Sequence, residues 1–165
     1  MKLYATEKIR NIGLIGHGGT GKTSLAEAML FHTGANNRIG RVDDDSSVMN
    51  YDAEEIKRKA TVNTSLAAIE YKDCKINILD APGFDDFLGE VYKISGAIDM
   101  AIVTVNAQSG VEVGTEKNWA VMEMAKTPRI VYLSKLDKEN INLDKTFDSL
   151  KALDAKITPV IVPWG

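Results

Sequence analysis

Residues 16–23 read GHGGTGKT, a glycine followed after four residues by Gly-Lys-Thr, and this is the stretch most able to do chemistry. Small residues let consecutive backbone N–H groups turn inward as a nest for an anion. A helix that starts near Gly21 points its positive end at the same place. The chemistry is phosphate binding: Lys22 can reach the β and γ phosphates of a nucleotide, and the Thr23 hydroxyl can face a Mg²⁺ ion that bridges them. Gly16, His17, Gly18, Gly19, Thr20, Gly21, Lys22, Thr23 and Ser24 are the nucleotide-binding candidates of this stretch.

Three further sets follow in the chain. Asp80 ends an apolar run and can hold the metal, while Gly83, in Asp80-Ala81-Pro82-Gly83, leaves a backbone N–H free for a γ phosphate. Thr61 can meet both metal and γ phosphate, which makes the stretch before it a switch that is released when that phosphate leaves. Lys22, Thr61 and Gly83 are the catalytic candidates, and Thr23, Thr61 and Asp80 the metal candidates. Ser134-Lys135-Leu136-Asp137 suits a base: Asp137 can accept from the N1 and N2 donors of guanine while Lys135 covers the ring. Adenine lacks that donor pair, and an unmatched buried carboxylate costs on the order of 1 to 3 kcal/mol per lost bond.

These groups need elements to carry them. Ile9, Ile12, Leu14 and Ile15 predict a strand before the phosphate loop, and Leu25, Ala28, Met29 and Leu30 a helix after it, ending near Gly34. Residues 35–59 are long, acidic and irregular. They predict a mobile segment with one short helix, in which Asp52 and Glu55 form a capping box and Glu55 pairs with Lys59. Strands are expected over 61–71 and 75–79, joined as a hairpin. A helix with Phe84, Phe87, Leu88, Val91 and Ile94 on its inner face comes next, and then an apolar strand over 100–105. A helix over 116–125 packs Trp119, Met122 and Ala125 inward and stops before Pro128. A strand over 130–133, a helix capped by Asn142 and a last strand over 157–162 complete the chain. The alternation predicts one doubly wound α/β domain over residues 1–165, mostly parallel with one antiparallel hairpin, helices on both faces and ligand at the carboxyl ends of the strands.

Composition narrows the classes. With 44% apolar and 26% charged residues and a net charge of -3, the 165-residue chain can bury a core and offers no broad surface for nucleic acid. No apolar run approaches the roughly 20 residues of a membrane helix. A single cysteine, Cys74, excludes an internal disulfide. The expected setting is the cytoplasm, with neither membrane nor DNA as partner.

The order of these motifs, together with 58–62 (RKATV), 80–84 (DAPGF), 85–91 (DDFLGEV), 110–116 and 134–140, resembles the translational GTPases, most closely the nucleotide domain of the elongation factor G group. The resemblance implies a P-loop NTPase fold, GTP and GDP with Mg²⁺ as cofactors, GTP hydrolysis, and the ribosome with its RNA as partner of a longer intact protein. The resemblance also implies that the basic trio Lys57, Arg58 and Lys59 could touch that RNA, whereas three charges on such a loop are more often only solvated. The chain departs from the family's pattern in four ways. Phe84 stands where a histidine usually positions the attacking water, Gly19 where an aspartate and Ser134 where an asparagine is usual, and the fifth loop over the base is missing. Asp154-Ala155-Lys156 precedes the last expected strand and is no substitute. Phe84 therefore leaves two readings: slow hydrolysis, or a GTP-binding switch with little hydrolysis. His17 and His32 are not expected to replace the missing base, His17 being a structural contact.

Overall fold

The apolar runs become strands because both faces of the sheet are covered. In the computed structural model, which describes residues 2–162, β1 (Ile9–Ile15) lies at the centre, parallel to β3 (Cys74–Asp80) on one side and to β4 (Met100–Asn106) on the other. β5 (Arg129–Ser134) continues the parallel set beyond β4, and β2 (Ser65–Tyr71) runs antiparallel along β3, giving the order β2-β3-β1-β4-β5. Side chains alternate across β1. Leu14 enters a cluster with Ala26, Leu30 and Ile78 beneath α1 (Lys22–His32), whereas Ile15 joins Val91, Trp119, Met122 and Leu150 from α3 (Leu88–Ser95), α4 (Val113–Met124) and α5 (Leu143–Leu153) on the other face. Each buried Leu, Ile, Val or Met among them contributes about 1.5 to 3 kcal/mol on burial. This two-sided packing fixes the carboxyl ends of β1, β3, β4 and β5 along one rim.

Several expectations are corrected. The third helix begins only at Leu88, after a 3-10 turn over Asp85–Phe87; Phe84 sits before that turn in extended backbone and is half exposed instead of packing in a helical stripe. Ala125 caps α4 and is exposed. Residues 157–162 form no strand, and Val160 and Ile161 lie 93% and 91% exposed. An apolar run becomes a strand only where a neighbouring edge takes its N–H and C=O groups, and among the described residues none does so here. β2 starts at Ser65, later than expected, because the amides before it are already engaged. Val62 N and Asn63 N donate to Glu55, and Thr64 N donates to Glu90 on α3.

Residues 35–59 are held at several points instead of lying loose over the surface. Asp52 caps α2 (Ala53–Arg58) through the Glu54 amide, so no reciprocal box with Glu55 forms. Glu55 is buried and turned toward the amides of 62 and 63, while Lys59 pairs with Asp45. The capping box and the Glu55–Lys59 pair are thereby both replaced, because a carboxylate with buried amides to satisfy is better placed inward than on a solvated helix face.

The hairpin of β2 and β3 turns on Lys72 and Asp73, with φ of 45° and 63°. Two left-handed residues in sequence define the turn that favours Asn-Gly, and other side chains are strained there. Replacing Lys72→Asn with Asp73→Gly is expected to raise the unfolding free energy by about 1 kcal/mol, read from urea denaturation of the two chains.

Candidate functional site

The phosphate loop bridges the end of β1 and the start of α1. Its backbone is fastened to three neighbours. His17 Nδ1 accepts from Gly114 N at 3.3 Å, the Thr20 and Thr104 hydroxyls share a hydrogen bond of 2.7 Å, and the Ser134 hydroxyl donates to Thr20 O at 2.7 Å and to Val105 O at 3.2 Å. His17 thereby joins the loop to the start of α4. Gly19 and Ser24 are exposed and free of such ties. Lys22 is buried and donates from Nζ to Gly16 O at 3.1 Å and to His17 O at 2.8 Å. Burial pushes its ammonium down to about 8, opposed by the charge of Asp80.

Asp80 stands at the end of β3, fully buried. Its Oδ2 accepts from the Thr23 hydroxyl at 2.6 Å, and that hydroxyl lies 3.3 Å from the hydroxyl of Thr61, which also donates to Asn50 Oδ1 at 3.3 Å. The three residues expected to face a metal therefore meet. Burial raises the Asp80 carboxyl to about 6, against the Thr23 hydrogen bond and the Lys22 charge. Its other oxygen, Oδ1, is buried without a partner. A buried carboxylate oxygen with nothing to accept from, beside two hydroxyls, fits a hard cation such as Mg²⁺, which takes oxygen ligands and commonly one or two carboxylates with phosphates completing the set.

Gly83 presses against the loop. A Cβ there would lie 2.2 Å from Lys22 Nζ and 2.8 Å from Gly18 N, so only glycine allows this approach. The next residue, Phe84, places its ring edge about 3 Å from where a Gly18 side chain would begin, and borders a cavity of about 290 Å³ with Arg58, Ala60, Val62, Asp86 and Phe87. His32 lies exposed in the last turn of α1 against Phe31, away from this rim.

The base candidates are less gathered. Ser134 ties β5 to the phosphate loop, whereas Lys135 and Asp137 lie exposed just beyond it, with Lys135 in left-handed backbone at φ 59°. Of the basic trio, Arg58 pairs with Glu54 and Lys59 with Asp45. Two supports went unread in the sequence: Thr104, mid-strand in β4, under the loop, and Asn50, which receives the Thr61 hydroxyl. A threonine in a β run reads as an ordinary strand former, and an asparagine in an acidic loop as a turn residue.

Residues 7–161 match the family described as the elongation factor Tu GTP binding domain. The chain belongs to that family. Elongation factor G of Granulibacter bethesdensis is 35% identical over the whole of this chain, which covers 24% of that relative, and elongation factor G of Mycoplasma pneumoniae is 35% identical over 94% of the chain and 23% of its own length. The chain thus spans about a quarter of the curated relatives it matches. A solved structure from Thermus thermophilus superposes with a TM-score of 0.84 at 39% identity, over 88% of this chain and 22% of that one. Translation elongation factor SelB from Methanococcus maripaludis, in complex with the GTP analogue GppNHp, shares the fold at a TM-score of 0.67 and 21% identity, over 87% of this chain and 26% of that one. The mostly parallel five-stranded sheet with its one antiparallel pair is the G-domain fold of this family.

Within this G domain the Ser134 hydroxyl bridges two backbone carbonyls, Thr20 O and Val105 O. Removing it leaves Thr20 O and Val105 O without their donor. Ser134→Ala is expected to lower the unfolding free energy by about 1 to 2 kcal/mol, measured by chemical denaturation.

Proposed function

We propose that the chain binds GTP and GDP with Mg²⁺, and that the intact protein containing it hydrolyses GTP to GDP and phosphate at the ribosome. The observation that carries the reading is the meeting of Thr23, Thr61 and the unpartnered Asp80 oxygen beside Lys22, at the rim where a phosphate loop and a helix N-terminus converge. Thr23, Thr61 and Asp80 would hold Mg²⁺, which when bound neutralises charge on the phosphates. Lys22 would turn from the loop carbonyls to the β and γ phosphates, Gly83 N would donate to the γ phosphate, and Asp137 with Lys135 and Ser134 would select guanine. Hydrolysis in this reading is in-line attack by water, promoted by positioning and by fixed positive charge.

Calorimetric titration with GTP, GDP and ATP tests it. Guanine nucleotides are expected to bind more tightly than ATP, with affinity raised by Mg²⁺, and Asp80→Ala is expected to abolish the Mg²⁺ enhancement. Tighter binding of ATP would overturn the assignment of Asp137.

A second reading, a GTP-binding switch that hardly hydrolyses, is favoured by Phe84. Its ring sits against the phosphate loop and brings no polar atom to orient water. Positioned acid–base groups typically contribute a hundredfold or more, so Phe84→His is expected to raise ribosome-stimulated phosphate release from the intact protein by about tenfold or more. Rapid multiple turnover without the substitution would exclude the switch reading.

A further inference from the structure

Glu27 is a carboxylate on the inner face of α1, fully buried, and it touches none of the groups assigned above. Four donors converge on it. Gly40 N reaches Oε2 at 3.1 Å, while Ser47 Oγ and Val48 N reach Oε1 at 2.7 Å each and Met49 N at 3.3 Å. A carboxylate offers two acceptor oxygens and no donor, so it suits such a set where an amide side chain would turn N–H against N–H. Gly40 is fitted to this contact: a Cβ there would lie 2.8 Å from Glu27 Oε2 and 2.6 Å from Ser46 O.

The contact continues toward the phosphates. Met49, held by its amide, buries its side chain with Leu14, Leu30 and Ile78, and its carbonyl accepts from the Ser65 hydroxyl. The next residue, Asn50, receives the Thr61 hydroxyl, which lies beside that of Thr23. Thr23 and Glu27 are one turn apart on α1 and face the same way. One rigid helix therefore carries both Thr23 and the anchor of the segment that brings Thr61 to it.

We propose that Glu27 is a positioning residue for recognition of the triphosphate: by holding residues 47–49 it sets Asn50, and through it Thr61, at the γ-phosphate side of the site. This rests on the reading of Thr61 in the preceding subsection. Because a diphosphate offers Thr61 no γ phosphate, the anchor contributes to GTP binding and not to GDP binding.

The test compares affinities of the intact chain for GppNHp and GDP in Mg²⁺, for the unaltered chain, Glu27→Gln and Gly40→Ala, each also with Thr61→Ala. The two anchor variants act differently, one weakening the acceptor and the other crowding the loop off an unchanged carboxylate, so a folding defect in either leaves the other informative. Coupling between sites commonly amounts to about five- to 150-fold, and each variant is expected to lower the GppNHp-to-GDP affinity ratio by about tenfold. With Thr61 already replaced, neither is expected to change the ratio further. Equal loss for both nucleotides, an unchanged ratio, or an effect that persists without Thr61 would overturn the proposal alone. Failure of the unaltered chain to bind guanine nucleotide would overturn the functional reading and this proposal with it.

Discussion

Two opposite charges are buried at one rim of the sheet, and neither is fully satisfied by protein. Lys22 turns back on loop carbonyls, and Asp80 keeps an oxygen with no partner. Burying ionised groups is costly unless hydrogen bonds or counter-charges replace water. The surrounding fold bears this cost. Apolar clusters on both faces of the sheet hold the ends of β1 and β3 in register, Leu14 beside Asp80, so the two side chains stay near each other without a ligand. An anion over the loop and a cation at Asp80 would each relieve one of these deficits, which is why a site of this kind gains affinity from groups that are unfavourable to the empty protein.

The phosphate loop and residues 40–64 are tied to the fold in different ways. The phosphate loop is joined to β4 through Thr104, to β5 through Ser134 and to the start of α4 through Gly114. Three separate elements therefore set its shape before any ligand arrives, and preorganised donors need little rearrangement when charge is presented to them. Residues 40–64 are attached differently. Glu27 of α1 and Glu90 of α3 accept backbone amides of the segment, Glu55 within it accepts those of Val62 and Asn63, and little apolar side chain apart from Met49 holds it down. Hydrogen bonds to a few carboxylates can be exchanged for water at small net cost, whereas a packed core cannot.

This difference explains what was legible in the sequence. The phosphate loop, the strand-end aspartate and the order of strands and helices were readable because each has a local signature: glycine spacing, an apolar run, a helical period. Thr23 and Asp80 could be grouped for the same reason, Thr61 only from its place at the end of the irregular stretch, and the geometry brings the three together. The anchoring of 35–59 was not readable. Glu27 in a helix and Glu55 beside lysines look like solvated charges, and only the chain's return from residues 40–63 gives them donors. Phe84 was misread in the opposite direction. Its spacing from Phe87 and Leu88 continues a helical stripe, but the 3-10 turn at Asp85–Phe87 turns it out to the loop. The run at 157–162 failed as a strand because periodicity cannot report whether an edge is there to receive it.

Phe84 and Gly83 together illustrate how closely the site's chemistry depends on backbone approach. Gly83 lies so near Lys22 and Gly18 that no side chain fits there, and residue 84 follows directly from this approach. The Phe84 ring then lies against Gly18, at the mouth of the loop. A histidine in that place would bring a polar atom to the mouth, whereas phenylalanine covers it with hydrocarbon and borders the cavity formed with Val62 and Phe87. Aromatic hydrocarbon over a charged site lowers the local dielectric, which strengthens the pull of Lys22 on an anion while withholding a group that could orient water. In the proposed reading, retention and turnover of nucleotide would therefore rest on different atoms of the same short segment: the Gly83 amide would serve the first, and the side chain at position 84 the second.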